Sequence, residues 1–247
     1  IVNNTDILLA QSCSEGCSPG VESVGGSILI QSPGGSIAND PAALDPFSGQ
    51  PLPAWVRANG GNEFSARPNG NAGAVTLLAA GNIDLPRGLV EANGATLGPN
   101  LNAGGAGGTI TLTAGGIVNI GTLSATGGGA DGQTYSLFNT PEVAPSLNGG
   151  RGGSVMITAA GDVAVDSISV QGGSALSVLQ FNGETYVPLV GKTMAGGDGG
   201  SVTINAGGAL SLGTQILAYG GDGATNSAGS GGAGGAGGTI ALTAANL

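Results

Sequence analysis

The sequence has no histidine, and charged residues make up only 8% of its 247 residues. Without histidine the chain cannot build a Ser–His–Asp or Cys–His nucleophile system, and it lacks the commonest ligand of transition metals. Lysine and arginine together number 5, against 15 acidic residues. Because a phosphate backbone attracts cations, this balance argues against nucleic-acid binding.

Long apolar runs are also missing, and none reaches the length of a membrane-spanning helix. The 52 glycines and 12 prolines exclude a helical bundle, because both residues disfavour the helix interior. The hydrophobic fraction is nevertheless 40%, which is too high for a disordered acidic chain. The sequence therefore predicts an ordered protein of strands and turns, without a membrane span.

One phrase recurs along the chain: two glycines, a serine or threonine, alternating apolar residues, then alanine and glycine. Clear copies have their Ser/Thr at positions 27, 109, 154, 201 and 239, and a weaker copy has Ala74 in that place. Such alternation over a short run is typical of a β-strand with one buried face. Each copy is followed by two more short apolar segments, as in residues 163–165 and 168–170, and by another glycine pair.

This repeat predicts an all-β fold, a parallel β-helix or β-solenoid with three short strands in each coil, as a single domain over residues 1–247. Glycine pairs and Asn-Gly steps predict corners that need either positive φ or a close backbone approach. Stacked coils would align inward residues in columns, of which the first two are Val75, Ile110, Val155, Val202 and Ile240, and Leu77, Leu112, Ile157, Ile204 and Leu242.

The coils differ in length because extra segments enter after the third strand. In the first coil a Pro-rich segment, residues 39–54, enters before the third strand instead. Because the later insertions share one corner, we expect long loops that lie side by side along one edge of the solenoid. These insertions are residues 62–72, 95–106, 129–151, 174–198 and 222–236.

Aromatic residues are few and concentrate in the insertions. In one interpretation they fix each loop to the solenoid wall, because aromatic side chains supply large apolar area. In the other they form a contact ridge for glycans or a partner protein, because aromatic residues are enriched at binding hot spots. The residues of this predicted ridge are Phe64, Tyr135, Phe138, Phe181 and Tyr186.

The only two cysteines, Cys13 and Cys17, lie in a loop rich in Ser, Gly and Pro. A metal site would need further ligands, and the chain has no histidine and no other cysteine to supply them. We therefore predict a local disulfide between Cys13 and Cys17, which implies an oxidising compartment.

Residues 196–199 and 220–223 both read Gly-Gly-Asp-Gly and are similar to calcium-binding nonapeptide repeats. The nine-residue period of such repeats is absent, and single acids in turns usually serve the turn itself. We predict no cofactor, with Ca²⁺ as the alternative.

A polysaccharide-cleaving β-helix enzyme needs paired acids on adjacent coils. When the second strands are aligned, Asp84 falls beside Asn119 and Asp162 beside Asn82, so no acid faces an acid. We therefore predict that the protein is not an enzyme, and a carbohydrate-active enzyme remains the alternative.

A second alternative is an ice- or mineral-binding face. The outward positions of the first strands are rich in Ser and Thr, as such a face requires. Met156, Asn205 and Ala241 interrupt these columns, however, and Thr is common in strands for its β-propensity and cross-strand pairing.

Residues 107–120, Gly-Gly-Thr-Ile-Thr-Leu-Thr-Ala-Gly-Gly-Ile-Val-Asn-Ile, and their copies resemble the repeat region of filamentous-haemagglutinin-like bacterial exoproteins. The resemblance covers about residues 27–247 and is one of composition and period. It implies a secreted, right-handed β-helix on the bacterial cell surface, within a long fibre that serves adhesion, biofilm or cell contact. No functional residue carries over.

We therefore predict a non-enzymatic structural or adhesive segment of an extracellular fibre, with glycans or cell-surface proteins as partners. Neither end of the sequence carries a recognisable cap, and residues 1–10 align with residues 210–218. We expect either an internal slice of a longer solenoid or end-to-end self-association, with exposed Val, Ile or Leu in the terminal coils.

Overall fold

The structure, a computed structural model, describes residues 7–9, 25–39, 53–61, 70–96, 103–129, 134–137, 148–175, 177–181, 184–188, 195–224 and 232–246. All regular structure in these residues is β-strand, and none of them forms a helix that could cross a membrane. The strands are β1 (Ile7–Leu9), β2 (Ser27–Ser32), β3 (Ile37–Ala38), β4 (Trp55–Arg57), β5 (Ala74–Ala79), β6 (Ile83–Glu91), β7 (Thr109–Ala114), β8 (Val118–Ser124), β9 (Thr134–Leu137), β10 (Ser154–Ala159), β11 (Val163–Ser169), β12 (Ser177–Phe181), β13 (Tyr186–Pro188), β14 (Ser201–Leu217) and β15 (Thr239–Asn246).

Equivalent strands of successive coils pair in parallel and build two faces, which we call sheet one and sheet two. Sheet one contains β2, β5, β7, β10, the first half of β14 and β15, in that order. Sheet two contains β1, β4, β6, β8, β11 and the second half of β14, with β3 also paired to β6. Because β14 runs through both faces, the two sheets join into one solenoid-like, twelve-stranded sheet.

The repeated phrase sets the register of sheet one. Ile157 lies opposite Leu112 on one side and Ile204 on the other, and Ser154 lies between Thr109 and Ser201 in the same way. Both predicted inward columns are confirmed, because each residue pairs with its counterpart one coil away. Like side chains therefore stack at the strand spacing, about 4.8 Å.

Sheet two departs from the expected three separate strands per coil. In β8 and β11 the second and third apolar segments form one continuous strand, with an irregularity in the pairing of β11 to β14 between Val165 and Ser167. The extra residue lies in β14, where Gly213 and Thr214 stand opposite Asp166 alone, whereas β8 and β11 pair with each other without a shift. In the first coil β3 and β4 are separate, because the Pro-rich insertion lies between Ala38 and Trp55.

The buried side chains of the two sheets form one continuous aliphatic core. Sheet one contributes residues such as Ile110 and Leu112, and sheet two contributes residues such as Ile120 and Leu123, all at most 2% exposed. Alternation with polar outward residues follows from the strand period of two. The core thus runs along the stack, and each coil packs on its neighbours through it.

Insertions of neighbouring coils pair with each other in a separate three-stranded sheet. β9, from insertion 129–151, is parallel to β12, from insertion 174–198, and β13 returns antiparallel to β12. These two insertions therefore lie side by side.

Deletion of residues 182–192 should leave both stacked sheets intact. Gly197 N–H donates to the carbonyl oxygen of Gly173 at 2.9 Å, so the base of this insertion is closed without its outer part. Loops outside the stacked strands tolerate truncation. We expect an unchanged β-sheet circular dichroism spectrum and a loss of stability of about 1 kcal/mol or less. Collapse of the spectrum would show that the insertion is part of the folding unit.

Candidate functional site

Besides the two sheets, each coil has a third side, at which the chain leaves for an insertion and returns from it. Glycines occupy this side in successive coils and form a line along the stack. Gly150 N–H, on the returning chain, donates to the Gly128 carbonyl at 2.8 Å, and Gly173 N–H of the next coil donates to the Gly150 carbonyl at 2.8 Å. We call this line the glycine seam; it comprises Gly105, Gly128, Gly150, Gly173, Gly197, Gly221 and Gly235. Segments that lead into an insertion and segments that return from one thus alternate along a single ladder of backbone hydrogen bonds.

The seam explains why glycine is required there. A Cβ added at Gly150 would overlap the carbonyl oxygen of Gly105, and one added at Gly173 would overlap that of Gly128. None of the seam glycines has φ in the left-handed region. Of the two reasons that the sequence left open, close backbone approach is therefore the one that applies in the seam.

A shallow groove of about 560 Å³ runs beside the seam across four coils. Its floor is the glycine pairs that precede the first strands, and its hydroxyl groups recur once per coil at Thr109, Ser154, Ser201 and Thr239. The peptide N–H groups of this floor donate to carbonyls of other coils, as Gly153 N–H does to Ala125 and Ser154 N–H to Gly108. The groups that the groove offers to a ligand at the spacing of the coils are therefore chiefly its hydroxyls.

The charged residues of the groove are Arg151 and Asp198, whose Nε and Oδ2 atoms lie 3.6 Å apart with both side chains largely exposed. Asp198 Oδ1 also accepts a hydrogen bond from Ala236 N–H at 2.9 Å. The carboxylate thus joins two coils.

The two Gly-Gly-Asp-Gly turns are joined to neighbouring coils, by the carboxylate in the first turn and by a backbone N–H in the second. Asp198 contacts Arg151 and Ala236, and Asp222 N–H donates to Ser174 Oγ at 3.2 Å. In the part of the chain that the structure describes, no three acidic, cysteine or histidine side chains are grouped to hold a metal ion.

Asparagine and aspartate side chains connect neighbouring coils at the corners. Asn93 N–H donates to Asn59 Oδ1 at 2.8 Å, and Asn93 Oδ1 in turn accepts from Thr126 N–H at 2.9 Å. Sequence reasoning treated the Asn-Gly steps only as turn formers and missed these links between coils. Further links of the same kind join Asn71 to Ala106, Asn82 to Ile117, Asn148 to Ala195 and Asp162 to Ala209.

The single tryptophan belongs to a half-buried polar cluster on β4 and β6. Arg57 Cζ lies 4.6 Å from the centroid of the Trp55 ring, and Arg57 Nε lies 2.6 Å from Glu91 Oε2. This contact is an ion pair without an aligned hydrogen bond, because the buried Nε–H has no acceptor in its direction. The Glu91 carboxylate also receives the side-chain amides of Asn59 and Asn93, at 3.4 and 3.5 Å.

Arg57→Ala should destabilise the protein more than Arg151→Ala. Arg57 and Glu91 are only 27% and 16% exposed, so the truncation leaves a carboxylate largely desolvated; we expect a loss of about 1–3 kcal/mol. Arg151 is 77% exposed, and its exposed pair contributes less than about 0.5 kcal/mol. Chemical denaturation measures both, and Trp55 fluorescence reports the loss of the neighbouring cation. Equal effects of the two variants would contradict this account.

Three of the five residues of the predicted contact ridge are among the residues that the structure describes. The backbone brings Tyr135, Phe181 and Tyr186 into the insertion sheet, where Phe181 pairs with Tyr186 and Tyr135 pairs with Val178. The remaining ridge residues and both cysteines of the predicted disulfide lie outside the described residues: Phe64, Phe138, Cys13 and Cys17.

The outward columns follow the predicted alignments. Asp84 lies beside Asn119, whose Nδ2 donates to Asp84 Oδ1 at 2.8 Å, and Ala164 continues the column. On sheet one Met156 lies between two threonines, so the hydroxyl columns are interrupted where the sequence indicated. Asp84 and Asn119 thus form a hydrogen-bonded link between neighbouring coils.

No protein-family profile, no curated protein and no solved structure matches this chain.

Proposed function

We propose that this chain is a non-enzymatic structural or adhesive segment of an extracellular bacterial surface fibre. The observation that carries the proposal is that polar side chains of one coil bond to the next coil, as do Asn93, Asp162 and Asp198. Acids and amides that join coils contribute to axial strength, which a load-bearing rod requires.

The proposed rod is a right-handed β-helix. Each coil connects two parallel neighbours in the same sheet, for example β10 to β14, and such crossover connections are right-handed in nearly all proteins. The sequence resemblance to filamentous-haemagglutinin-like repeats implies the same hand, and it also supports the surface fibre and the extracellular location.

Adhesion is assigned to the side of the rod that carries the insertions. The strands of the insertion sheet include Tyr135, Phe181 and Tyr186, three residues of the predicted ridge. The groove with its hydroxyl groups lies where the chain returns from the insertions. Glycans and cell-surface proteins are the proposed partners, since aromatic and hydroxyl groups together suit both.

A binding assay tests the proposal. The immobilised protein is exposed to a panel of glycans and to whole cells, and its retention of either is compared with that of the variant lacking residues 182–192. We expect binding by the native chain, weaker binding by the deletion variant, and no release of sugar fragments.

Two outcomes would replace this proposal. Release of sugar fragments that is lost in Asp84→Asn would establish a carbohydrate-active enzyme. Thermal hysteresis at micromolar protein, lost when Thr111 and Thr203 are replaced by large hydrophobic residues, would establish an ice-binding face. Neither outcome depends on whether the chain assembles with itself.

A further inference from the structure

Three Asn-Gly steps of the described residues hold the next coil by the same pair of hydrogen bonds. At the first of them, Asn59 Oδ1 accepts from Asn93 N–H at 2.8 Å, and Gly60 N–H donates to the Asn93 carbonyl at 2.9 Å. Both peptide groups of one residue are thereby bound. We call this pair of bonds the Asn-Gly clamp. It recurs at the two other steps, where Asn93 and Gly94 bind Thr126, and Asn148 and Gly149 bind Ala195.

Other residue pairs make the same two bonds, so glycine is not needed for the bonds themselves. Asn71 Oδ1 accepts from Ala106 N–H at 2.8 Å, and Ala72 N–H donates to the Ala106 carbonyl at 2.9 Å. Asn82 and Ile83 bind the next coil in the same way. The chain therefore holds asparagines in one geometry with and without a following glycine, and these two groups differ in their chemistry.

An asparagine that precedes glycine reacts with its own backbone when the chain is free to move. The glycine nitrogen attacks Cγ of the asparagine, the bond from Cγ to the side-chain nitrogen breaks, and ammonia leaves with the proton that the glycine nitrogen gives up. Water then opens the resulting succinimide ring at one of its two carbonyls, which leaves aspartate or isoaspartate. Glycine favours the reaction because it has no side chain to obstruct ring closure and it permits backbone conformations closed to other residues.

We propose that the asparagine of each Asn-Gly clamp is a latent self-modification site, which the clamp blocks in the closed coil and which reacts when the coil opens. In the closed coil the attacking nitrogen is held, since Gly94 N–H donates to the Thr126 carbonyl at 2.8 Å. The amide under attack is held as well: Asn93 Oδ1 accepts from Ser124 Oγ at 2.7 Å and from Thr126 N–H at 2.9 Å. Ring closure requires both groups to leave these partners and turn towards each other.

The reaction prevents an opened coil from closing as before. Aspartate is compatible with the clamp, since Asp198 and Gly199 bind Ala236 through the same two bonds. Isoaspartate is not, because it places an additional carbon in the main chain and shifts the following glycine out of register. At Asn93 the aspartate product also adds a like charge near Glu91, whose Oε1 lies 3.5 Å from Asn93 Nδ2. A coil that has opened thus carries a lasting chemical mark.

This inference goes beyond the proposed function, because it needs no adhesive partner. Peptide mapping by mass spectrometry tests it with the full chain, incubated at neutral pH with and without denaturant. In the denatured chain we expect deamidation at the three Asn-Gly steps and far less at Asn71 and Asn82, which precede Ala and Ile. In the folded chain the three steps should react at least about a hundredfold more slowly than in the denatured chain, because the reaction waits for local opening.

Ala195→Pro tests the clamp itself. Proline has no N–H, so Asn148 Oδ1 loses this donor, whereas the clamp at Asn93 stays complete. We expect deamidation at Asn148 to become about threefold to tenfold faster, the effect of one lost hydrogen bond on local opening, and the rate at Asn93 to stay unchanged. Ala106→Pro is the matched control: it removes the equivalent donor from Asn71, which should remain intact because alanine follows it.

Equal rates at Asn93 in the folded and the denatured chain would overturn the proposal, as would an unchanged rate at Asn148 in Ala195→Pro. If circular dichroism shows that Ala195→Pro is unfolded, the native chain in rising urea below its unfolding transition replaces it. Deamidation at the three steps should then accelerate with urea. A rate that does not depend on urea would equally contradict control by coil opening.

Discussion

Ile157→Asp is expected to unfold the protein or to leave it close to unfolding. Ile157 is fully buried in the middle of its column, between Leu112 and Ile204. Its replacement removes packed methyl groups and places an unpaired carboxylate among aliphatic side chains. Truncation of a buried isoleucine alone costs about 2–5 kcal/mol, and the desolvated charge adds to that cost. Most domains have only about 5–15 kcal/mol of stability to lose.

Chemical denaturation monitored by circular dichroism measures this loss. Met156→Asp is the control, because Met156 precedes Ile157 in the same strand but points outward and is 44% exposed. We expect its effect to stay within about 0.5 kcal/mol. Similar losses for the two variants would mean that the inward and outward faces of β10 are assigned wrongly.

The second large effect is expected from one methyl group in the glycine seam. In Gly150→Ala the new Cβ would overlap the backbone carbonyl of Gly105, and backbone cannot move aside as a flexible side chain does. The seam must widen, which weakens the hydrogen bonds from Gly150 to Gly128 and from Gly173 to Gly150. We expect a loss of about 2–4 kcal/mol from overpacking and weakened backbone bonds.

Gly34→Ala is the matched control for the seam. A Cβ at Gly34 meets nothing within 4 Å, and its φ is not in the left-handed region. Such a substitution changes stability by less than about 1 kcal/mol, in the stabilising direction, because it restricts the unfolded chain. If Gly150→Ala proved as benign as Gly34→Ala under denaturation, the close packing of the seam would be wrong.

The inward columns could be predicted from the sequence because they depend on a local signal. Alternation with a period of two fixes which residues of a strand face the core, and the repeated phrase fixes which residues of different coils correspond. Val155, Ile157 and their neighbours therefore needed no information from distant contacts. The same correspondence gave the pairing of Asp84 with Asn119.

The remaining features depend on contacts between segments far apart in the chain. From the sequence, Asp166 lies between two apolar segments and would be assigned to a corner between two strands. In the structure β11 continues through Asp166, because Val165 and Ser167 both pair with residues of β8 and β14. The seam was read as a set of corners, since only the folded chain shows that returning and departing glycines share one ladder. The contact between Arg57 and Glu91 likewise arises from the register of β4 on β6.

Equivalent residues of adjacent coils lie directly opposite each other in sheet one. Pairs of cysteines on the outer face of that sheet test this register most directly. Met156 lies opposite Thr203 in the adjacent coil, whereas Ala241 lies in the same column two coils away. Paired Cα atoms of adjacent strands are within the range of about 4.4–6.8 Å that a disulfide spans, and positions two coils apart are not. Oxidation followed by peptide mapping should therefore show a rapid disulfide in Met156→Cys with Thr203→Cys, and none within one chain in Met156→Cys with Ala241→Cys. A faster disulfide in Met156→Cys with Asn205→Cys, or in the pair two coils apart, would contradict the stacked architecture.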